Sequence, residues 1–306
     1  MKIFITGGTG FFGSTLTKAL FRGGHHITVL TRALKHQPSA LQGMTFLEGD
    51  PTHPGAWQDR VTKHEAIINL AGATIFCHWN KKAKERIRNS RILTTQNLVN
   101  SLRKFRGETT TLLSASAVGY YGFQGEEIVD ENSPSGEDFL AAVCADWEKE
   151  AEKARDFGVR VTFCRFGIIL GREGGALALM RKVFASYLGG RFGNGTQWFS
   201  WIHEQDLAHI FLYLLEEKQL EGPLNCTSPH PVRNKELTKS MSKVLEKPVI
   251  LPPVPGFALK IILGEFAQIL LKGQSVVPRR LLEAGFPYRF PHFEDAIENL
   301  FSPENS

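Results

Sequence analysis

The sequence has no long apolar run, no paired cysteines and no strong charge of one sign. Its most lipid-like stretch, Gly256 to Leu271, is interrupted by Lys260 and Glu265. That stretch is too short and too charged to span a bilayer, so no membrane partner is expected. The four cysteines, Cys77, Cys144, Cys164 and Cys226, are scattered without CxxC spacing. They read as small buried hydrophobes in a reducing compartment, and neither disulfides nor a metal site is expected. Lysine and arginine number 36 against 31 acids, a formal net charge of +5, with both signs mixed throughout. There is no dense basic stripe and no aromatic–basic motif, which excludes a nucleic-acid groove. A soluble surface is expected, and an anionic small ligand would account for part of the excess. Repeats and low-complexity tracts are absent. Met1-Lys2 leads at once into a strand and a glycine turn, with no apolar stretch for a signal peptide, so the expected location is cytoplasmic.

What is present is an alternation. Lys2–Thr6, Ile27–Thr31, Thr45–Leu47, Ala66–Leu70, Thr109–Ser114 and Val159–Cys164 are rich in Val, Ile, Leu, Phe and Thr without strict polar alternation. That composition suits strands covered on both faces. Helical patterns fall between them at Phe12–Phe21, Trp79–Phe105 and Phe139–Arg155. Alternating β and α elements predict an α/β fold, a Rossmann-type doubly wound parallel sheet over residues 1–170. After about Gly171 the pattern changes to Gly- and aromatic-rich loops, then Trp198–Ile202, a helix near Gln205–Leu215, a Pro-rich stretch and further helices. Residues 171–306 are expected to form a smaller, mainly helical substrate region on the sheet edge.

The first strand runs into Gly7-Gly8-Thr9-Gly10-Phe11-Phe12-Gly13 and a helix. Glycine permits the tight turn and lets backbone N–H groups reach a pyrophosphate, while the helix N-terminus adds oriented donors. Gly7, Thr9, Gly10, Phe11, Phe12 and Gly13 are therefore candidate cofactor contacts. The second strand ends in Val29-Leu30-Thr31-Arg32 with no acid nearby. An acid there would bind a ribose 2′-hydroxyl, whereas arginine accommodates a 2′-phosphate. Thr31 and Arg32 thus point to NADP(H), the bland reading of Arg32 being an exposed surface side chain. Glu48 and Asp50 follow the third strand, where Asp50 reaches either the adenine or only its own turn. Leu70, Ala71 and Gly72 end the fourth strand with small residues suited to lie against the cofactor.

On the helix after Trp79, Ile87, Thr94, Leu98 and Leu102 share a face with Arg91 among them. A guanidinium facing the sheet needs an anion. That anion is either a buried carboxylate or the cofactor phosphates, with Arg86 assisting from the neighbouring face.

Taken together, Thr6–Gly13, Asn69-Leu70-Ala71-Gly72, Ser90-Arg91 and Ser114–Gly122 resemble the extended short-chain dehydrogenase/reductases, the NAD-dependent epimerase/dehydratase superfamily. Trp147-Glu148, Trp201-Ile202-His203 with Asp206, and Pro278-Arg279-Arg280-Leu281 extend the resemblance over essentially the whole chain. It is nearest to a subfamily labelled nucleoside-diphosphate-sugar epimerase or cell-division-inhibitor-like, which has its own C-terminal extension. The resemblance implies NADP(H) contacts at Ser114 and Ile169, a small-molecule substrate met by Arg165 and His203, and a possible homodimer. It also implies a serine after the fifth strand and a Tyr-x-x-x-Lys pair on the next helix, where tyrosine transfers the proton and lysine lowers its pKa.

The chain departs from that pattern. If Glu148 matches the acid that follows the family lysine, Leu140 stands for the tyrosine and Cys144 for the lysine. Cys144 is either a nucleophile or packing. Ser116 matches the family serine, with Ala117 as the alternative at that place. Tyr120 and Tyr121 are substitute acids or loop packing, and Asp206 is a substrate-cleft residue or a helix cap. Two functions follow: an NADP(H)-dependent oxidoreductase or epimerase on a small polar substrate, or a catalytically inactive NADP(H)-binding sensor or scaffold.

Overall fold

The computed structural model describes residues 1–34, 43–103 and 111–302. Seven strands pair in parallel: β1 (Lys2–Thr6), β2 (His26–Thr31), β3 (Met44–Glu48), β4 (Ala66–Asn69), β5 (Thr111–Ala117), β6 (Arg160–Phe166) and β7 (Gly222–Cys226). Their order is β7-β6-β5-β4-β1-β2-β3. The order reverses between β1 and β4, the place where doubly wound sheets open a crevice at their carboxyl ends.

In chain order the helices are α1 (Phe11–Arg22), the single turn α2 (Gln58–Val61), α3 (Lys81–Leu102), α4 (Phe139–Glu152), α5 (Gly175–Ala185), α6 (Glu204–Glu216), α7 (Asn234–Val244), α8 (Gly256–Leu263), α9 (Ala267–Leu271), α10 (Arg279–Glu283) and α11 (Phe293–Phe301). Helices α1 and α6 cover one face, packing Leu16, Leu20, Phe211 and Leu214 on Ile3, Ile5 and Val29. Helices α3 and α4 cover the other, packing Leu98, Leu102 and Ala151 on Phe4, Ile67 and Leu112. The alternation of Ile3, Phe4 and Ile5 between the two cores is the period-two rule of a strand buried on both sides.

The predicted elements are present, with two differences that matter. Strands β5 and β6 run past their predicted ends to Ala117 and Phe166, so Ser116 and Arg165 lie within the sheet. Polar residues there look like strand ends in the sequence, but Glu148 on α4 and Tyr121 in the turn after β5 satisfy them. Second, β7 and α6, both beyond residue 170, complete the sheet and one covering layer. Of the predicted elements, residues 109 and 110 of the fifth strand and residues 104 and 105 of the helix after Trp79 lie outside the described residues.

The rest of the C-terminal half builds two satellites. Leu177 of α5, Leu237 of α7 and Ile297 of α11 pack around Trp201. The hairpin of α8 and α9 packs Leu263, Phe266, Ile269 and Leu270 against Trp79, Ile87, Phe139 and Leu140. Asp206 stitches the tail to α6: its two carboxylate oxygens accept the backbone N–H groups of Arg289 and Phe290, each at 2.9 Å.

Candidate functional site

At the carboxyl ends of β1, β4 and β5 lies a cleft of about 410 Å³. Its floor is the glycine turn. Gly7 has φ +74°, and a Cβ on it would stand 2.7 Å from the Leu70 carbonyl carbon. A Cβ on Gly13 would stand 2.1 Å from the Gly7 oxygen. Only glycine allows β1, α1 and the end of β4 to approach this closely. Helix α1 begins after Gly10 with no side-chain cap, and the Ser14 N–H makes the bond to the Gly10 oxygen at 2.9 Å. The first-turn N–H groups are thus left to other partners, as an anion site requires.

Arg91 reaches over this floor. Its Nη1 donates to the carbonyls of Ala73 (3.0 Å) and Ile87 (2.9 Å), and its guanidinium lies 5.2 Å from the Trp147 ring centroid. A Cβ on Gly72 would stand 3.1 Å from the guanidinium carbon. Burial pulls the Arg91 pKa below its usual value, and among the described residues no carboxylate lies in contact to restore it. Of its two anticipated anions, the described residues supply no carboxylate. The residues present fit a dinucleotide phosphate bridge: a tight glycine floor, an uncapped helix start and a buried cation lacking an acid.

Of the sequence-predicted residues, Gly7, Gly10, Phe11, Phe12, Gly13, Leu70, Gly72, Arg91, Ser116 and Ile169 line the cleft. The others lie elsewhere. Thr9 faces a neighbouring groove between α1 and α6. Thr31 is buried at the end of β2 and accepts from the Ala33 N–H at 3.5 Å, while Arg32 is exposed beside it. Asp50 takes the turn reading, accepting from the Thr52 N–H (2.9 Å) and hydroxyl (2.7 Å). Burial opposes its ionisation, but the Thr52 hydrogen bonds and the nearby His53 and Arg32 hold it below the usual carboxylate range. Ala71 follows β4 outside the cleft lining, and exposed Arg86 donates to the Cys77 sulfur at 3.8 Å. Ser114 is buried, accepting from Asn69 at 3.4 Å.

The polar candidates near β5 are gathered into a buried network. Ser116, Arg165 and Asn225 are in register across β5, β6 and β7. The Ser116 hydroxyl donates to Glu148 Oε1 (2.6 Å) on α4. Arg165 forks onto the same carboxylate through Nε (2.8 Å) and Nη2 (2.7 Å), and its Nη1 donates to the Tyr121 oxygen (2.9 Å). Tyr121 in turn donates to Asn225 Oδ1 (2.7 Å), and the Arg165 guanidinium stacks 3.5 Å from the Tyr120 ring centroid. Burial pushes the Tyr121 pKa up to about 12, with Arg165 opposing. Burial works against the Arg165 charge, yet the Glu148 fork holds its pKa above the usual value. Arg165, Tyr120 and Tyr121 therefore stand behind the cleft wall.

His203 is fully buried and caps α6, its Nδ1 accepting from the Gln205 N–H at 3.1 Å, with its ring 4.1 Å from that of Phe290. Burial pulls its pKa down to about 4. It is a neutral packing residue placed away from the cleft lining.

Leu140 and Cys144 do line the cleft, beside Val143 and Trp147. Burial, with the Glu148 charge, pushes the Cys144 thiol up to about 12, so it stays protonated and unreactive. Leu140 is apolar for a visible reason: it packs on the same cluster as Phe266, Leu263 and Ile269 of the C-terminal hairpin. The far end of the cleft holds residues the sequence reading missed, among them Phe123, Asp138, Trp198, Ser200, Lys272 and Gln274. Gln274 donates to the Val118 carbonyl (2.9 Å), Ser200 to the Gln274 carbonyl (2.8 Å), and Asp138 caps α4. The aromatic run Trp198–Trp201 is the one available sequence signal for that end.

A model of the NAD dependent epimerase/dehydratase family matches residues 3–226, and a domain of unknown function, DUF1731, matches residues 254–300. The chain is 41% identical over 302 residues to an epimerase family protein SDR39U1 homolog, chloroplastic, of Arabidopsis thaliana, covering 98% of this chain and 86% of that one. It is 38% identical over 304 residues to the epimerase family protein YfhF of Bacillus subtilis, covering 99% and 98%. A crystal structure of human epimerase family protein SDR39U1 (isoform 2) with NADPH superposes with a TM-score of 0.84 at 30% identity, covering 98% and 99%. Sequence, sheet order and glycine floor agree, and the chain belongs to the NAD dependent epimerase/dehydratase family.

Proposed function

We propose that the protein binds NADP(H) in this cleft and acts as a reductase on an acceptor less polar than the sequence alone suggests. Arg91, a cationic group in the cleft with no carboxylate against it among the described residues, is the observation that carries the cofactor assignment. Gly7 and Gly13 admit the phosphate bridge, the α1 N-terminus donates to it and Arg91 meets its charge. Exposed Arg32 at the end of β2 favours a 2′-phosphate, and the NADPH in the human relative supports the same choice. The nicotinamide supplies hydride chemistry when bound.

Epimerisation by the family route needs a resident base, and Leu140 and the protonated Cys144 offer none. Ser116 is the hydroxyl on the wall beside Cys144 and Leu140. Its proton is held by Glu148, so it has no hydrogen to offer an acceptor's carbonyl oxygen. The acceptor's proton then comes from water. Leu140, Val143, Trp147, Trp198 and Ile269 make a largely apolar chamber, which suits a conjugated carbonyl or quinone-like acceptor over a sugar. The sensor reading is retained on one observation: the hairpin packs over the dyad position, tying cofactor site to C-terminal region. The test is calorimetry with NADPH and NADH, then NADPH oxidation against carbonyls and quinones. Binding with turnover of any acceptor supports the reductase. Binding without turnover leaves the sensor, and no binding of NADPH overturns both.

A further inference from the structure

One surface of the C-terminal half is apolar in a way the cleft does not explain. On α8, Phe257, Ile261 and Ile262 are 69%, 77% and 68% exposed, while Leu259 faces inward. The chain just before α8 presents Ile250, and the loop after α5 presents Tyr187 and Leu188. These segments form one surface. Val254 N–H donates to the Arg191 carbonyl (2.8 Å), Gly193 N–H to the Val254 carbonyl (2.9 Å), and Lys247 Nζ to the Tyr187 hydroxyl (3.0 Å). Isolated exposed leucines and isoleucines are ordinary, but a contiguous patch of this kind marks a surface that is covered in use.

The charge around it identifies the cover. Although Lys243 pairs with Glu298 at 3.8 Å and Lys272 lines the cleft, residues 175–195 and 243–272 together hold seven basic residues against Glu246 and Glu265, an excess of five. That equals the formal net charge, +5, of all 306 residues, so the rest of the chain is balanced. Exposed Lys260 borders Phe257 on the same turn of α8, Lys247 reaches the Tyr187 hydroxyl, and Lys182 is exposed on α5, the helix that leads into the 187–193 loop. Among the described residues neither Lys260 nor Lys182 has an ion-pair partner. A second copy docked face to face would set this basic rim against itself. Exposed aromatic and β-branched side chains ringed by lysine suit the headgroup boundary of an anionic bilayer instead.

We infer that the α8 hairpin and the adjoining 187–193 loop form a peripheral docking surface for an anionic phospholipid membrane. Docking is superficial, since among the described residues no helix is long and apolar enough to cross a membrane. Ile269 and Lys272 of the same hairpin line the cleft, so docking sets the cleft beside the lipid surface.

The test is flotation of the full chain with phosphatidylcholine vesicles, with and without phosphatidylglycerol, at low and high salt, beside light scattering. Expected are flotation with the anionic vesicles only, its loss in high salt, and at least a tenfold loss in an I261S/I262S variant. Both positions point to solvent, so the variant keeps the wild-type thermal midpoint. The charge reversal Lys260→Glu provides an independent variant and weakens flotation without removing an apolar side chain. Failure to float with anionic vesicles overturns the proposal. So does flotation indifferent to both variants, or a dimer that I261S/I262S dissolves in protein that ignores vesicles. NADPH affinity is measured separately, so none of these outcomes bears on the cofactor assignment.

Discussion

Arg91 and Arg165 are both cations withdrawn from solvent, and their partners give them opposite meanings. Arg165 has a carboxylate fork and a phenol, and ties β6 to α4 and to the turn after β5. Among the described residues Arg91 has only two carbonyls and a ring face. Replacing Arg91 with methionine is expected to weaken NADPH binding about 10- to 100-fold, the worth of a charge-assisted hydrogen bond. The urea midpoint of the cofactor-free protein should hold or rise, because a buried charge without an acid has been removed. A fall in the midpoint with unchanged affinity would reassign Arg91 to structure. His203 gives the pH counterpart. Its pKa falls from 6.5 to about 4 on folding, so below 6.5 the unfolded chain binds a proton that the folded chain refuses. Stability is therefore full above that range and falls as pH drops through it, by about 3 kcal/mol at the lower end. A His203→Asn variant keeps a cap acceptor, and the difference between its urea midpoints at about pH 7 and about pH 5 should shrink relative to wild type.

At the scale of elements, α4 and the α8–α9 hairpin have to be considered together. The hairpin packs where a catalytic tyrosine would stand, and Cys144 sits in a pocket already facing Arg91. Restoring the family pair as L140Y/C144K is thus expected to lower the thermal midpoint by several degrees and to create no new turnover. The tyrosine must displace hairpin side chains, and the lysine adds a second buried cation beside the first. A stable double variant with gained activity would show instead that only two side chains separate this cleft from its relatives. Sheet and cofactor floor were legible because they rest on local signals: β-rich runs, a glycine turn and a helix start, all within Lys2–Phe21 or repeated at similar spacing. The Ser116–Glu148–Arg165–Tyr121 network was not. Its partners lie 32, 17 and 44 residues apart, and no periodicity reveals which carboxylate an arginine will find. Lys272 and Gln274 were illegible for the same reason, since a loop remote in sequence brings them to the cleft.

For the molecule as a whole, cofactor and fold are linked by mass action. NADPH at a hundredfold excess over its Kd should add about 2.7 kcal/mol to unfolding. That is visible as a rise in thermal midpoint, larger than the rise with equal NADH if Arg32 meets the 2′-phosphate. Equal shifts would remove the preference but keep the site.

The Phe11 ring carries one more consequence. It opens α1 at the glycine floor, and its ring fills the space that side chains on Gly171, Gly174 and Gly175 would need, where a Cβ would come within 2.5 to 2.7 Å of it. A single aromatic plug thus keys the start of the first helix into a hollow more than 150 positions downstream, at the threshold of α5. Neither half of that joint can drift alone: enlarging any of the three glycines evicts the plug, and shaving the plug leaves the threshold of α5 unsupported.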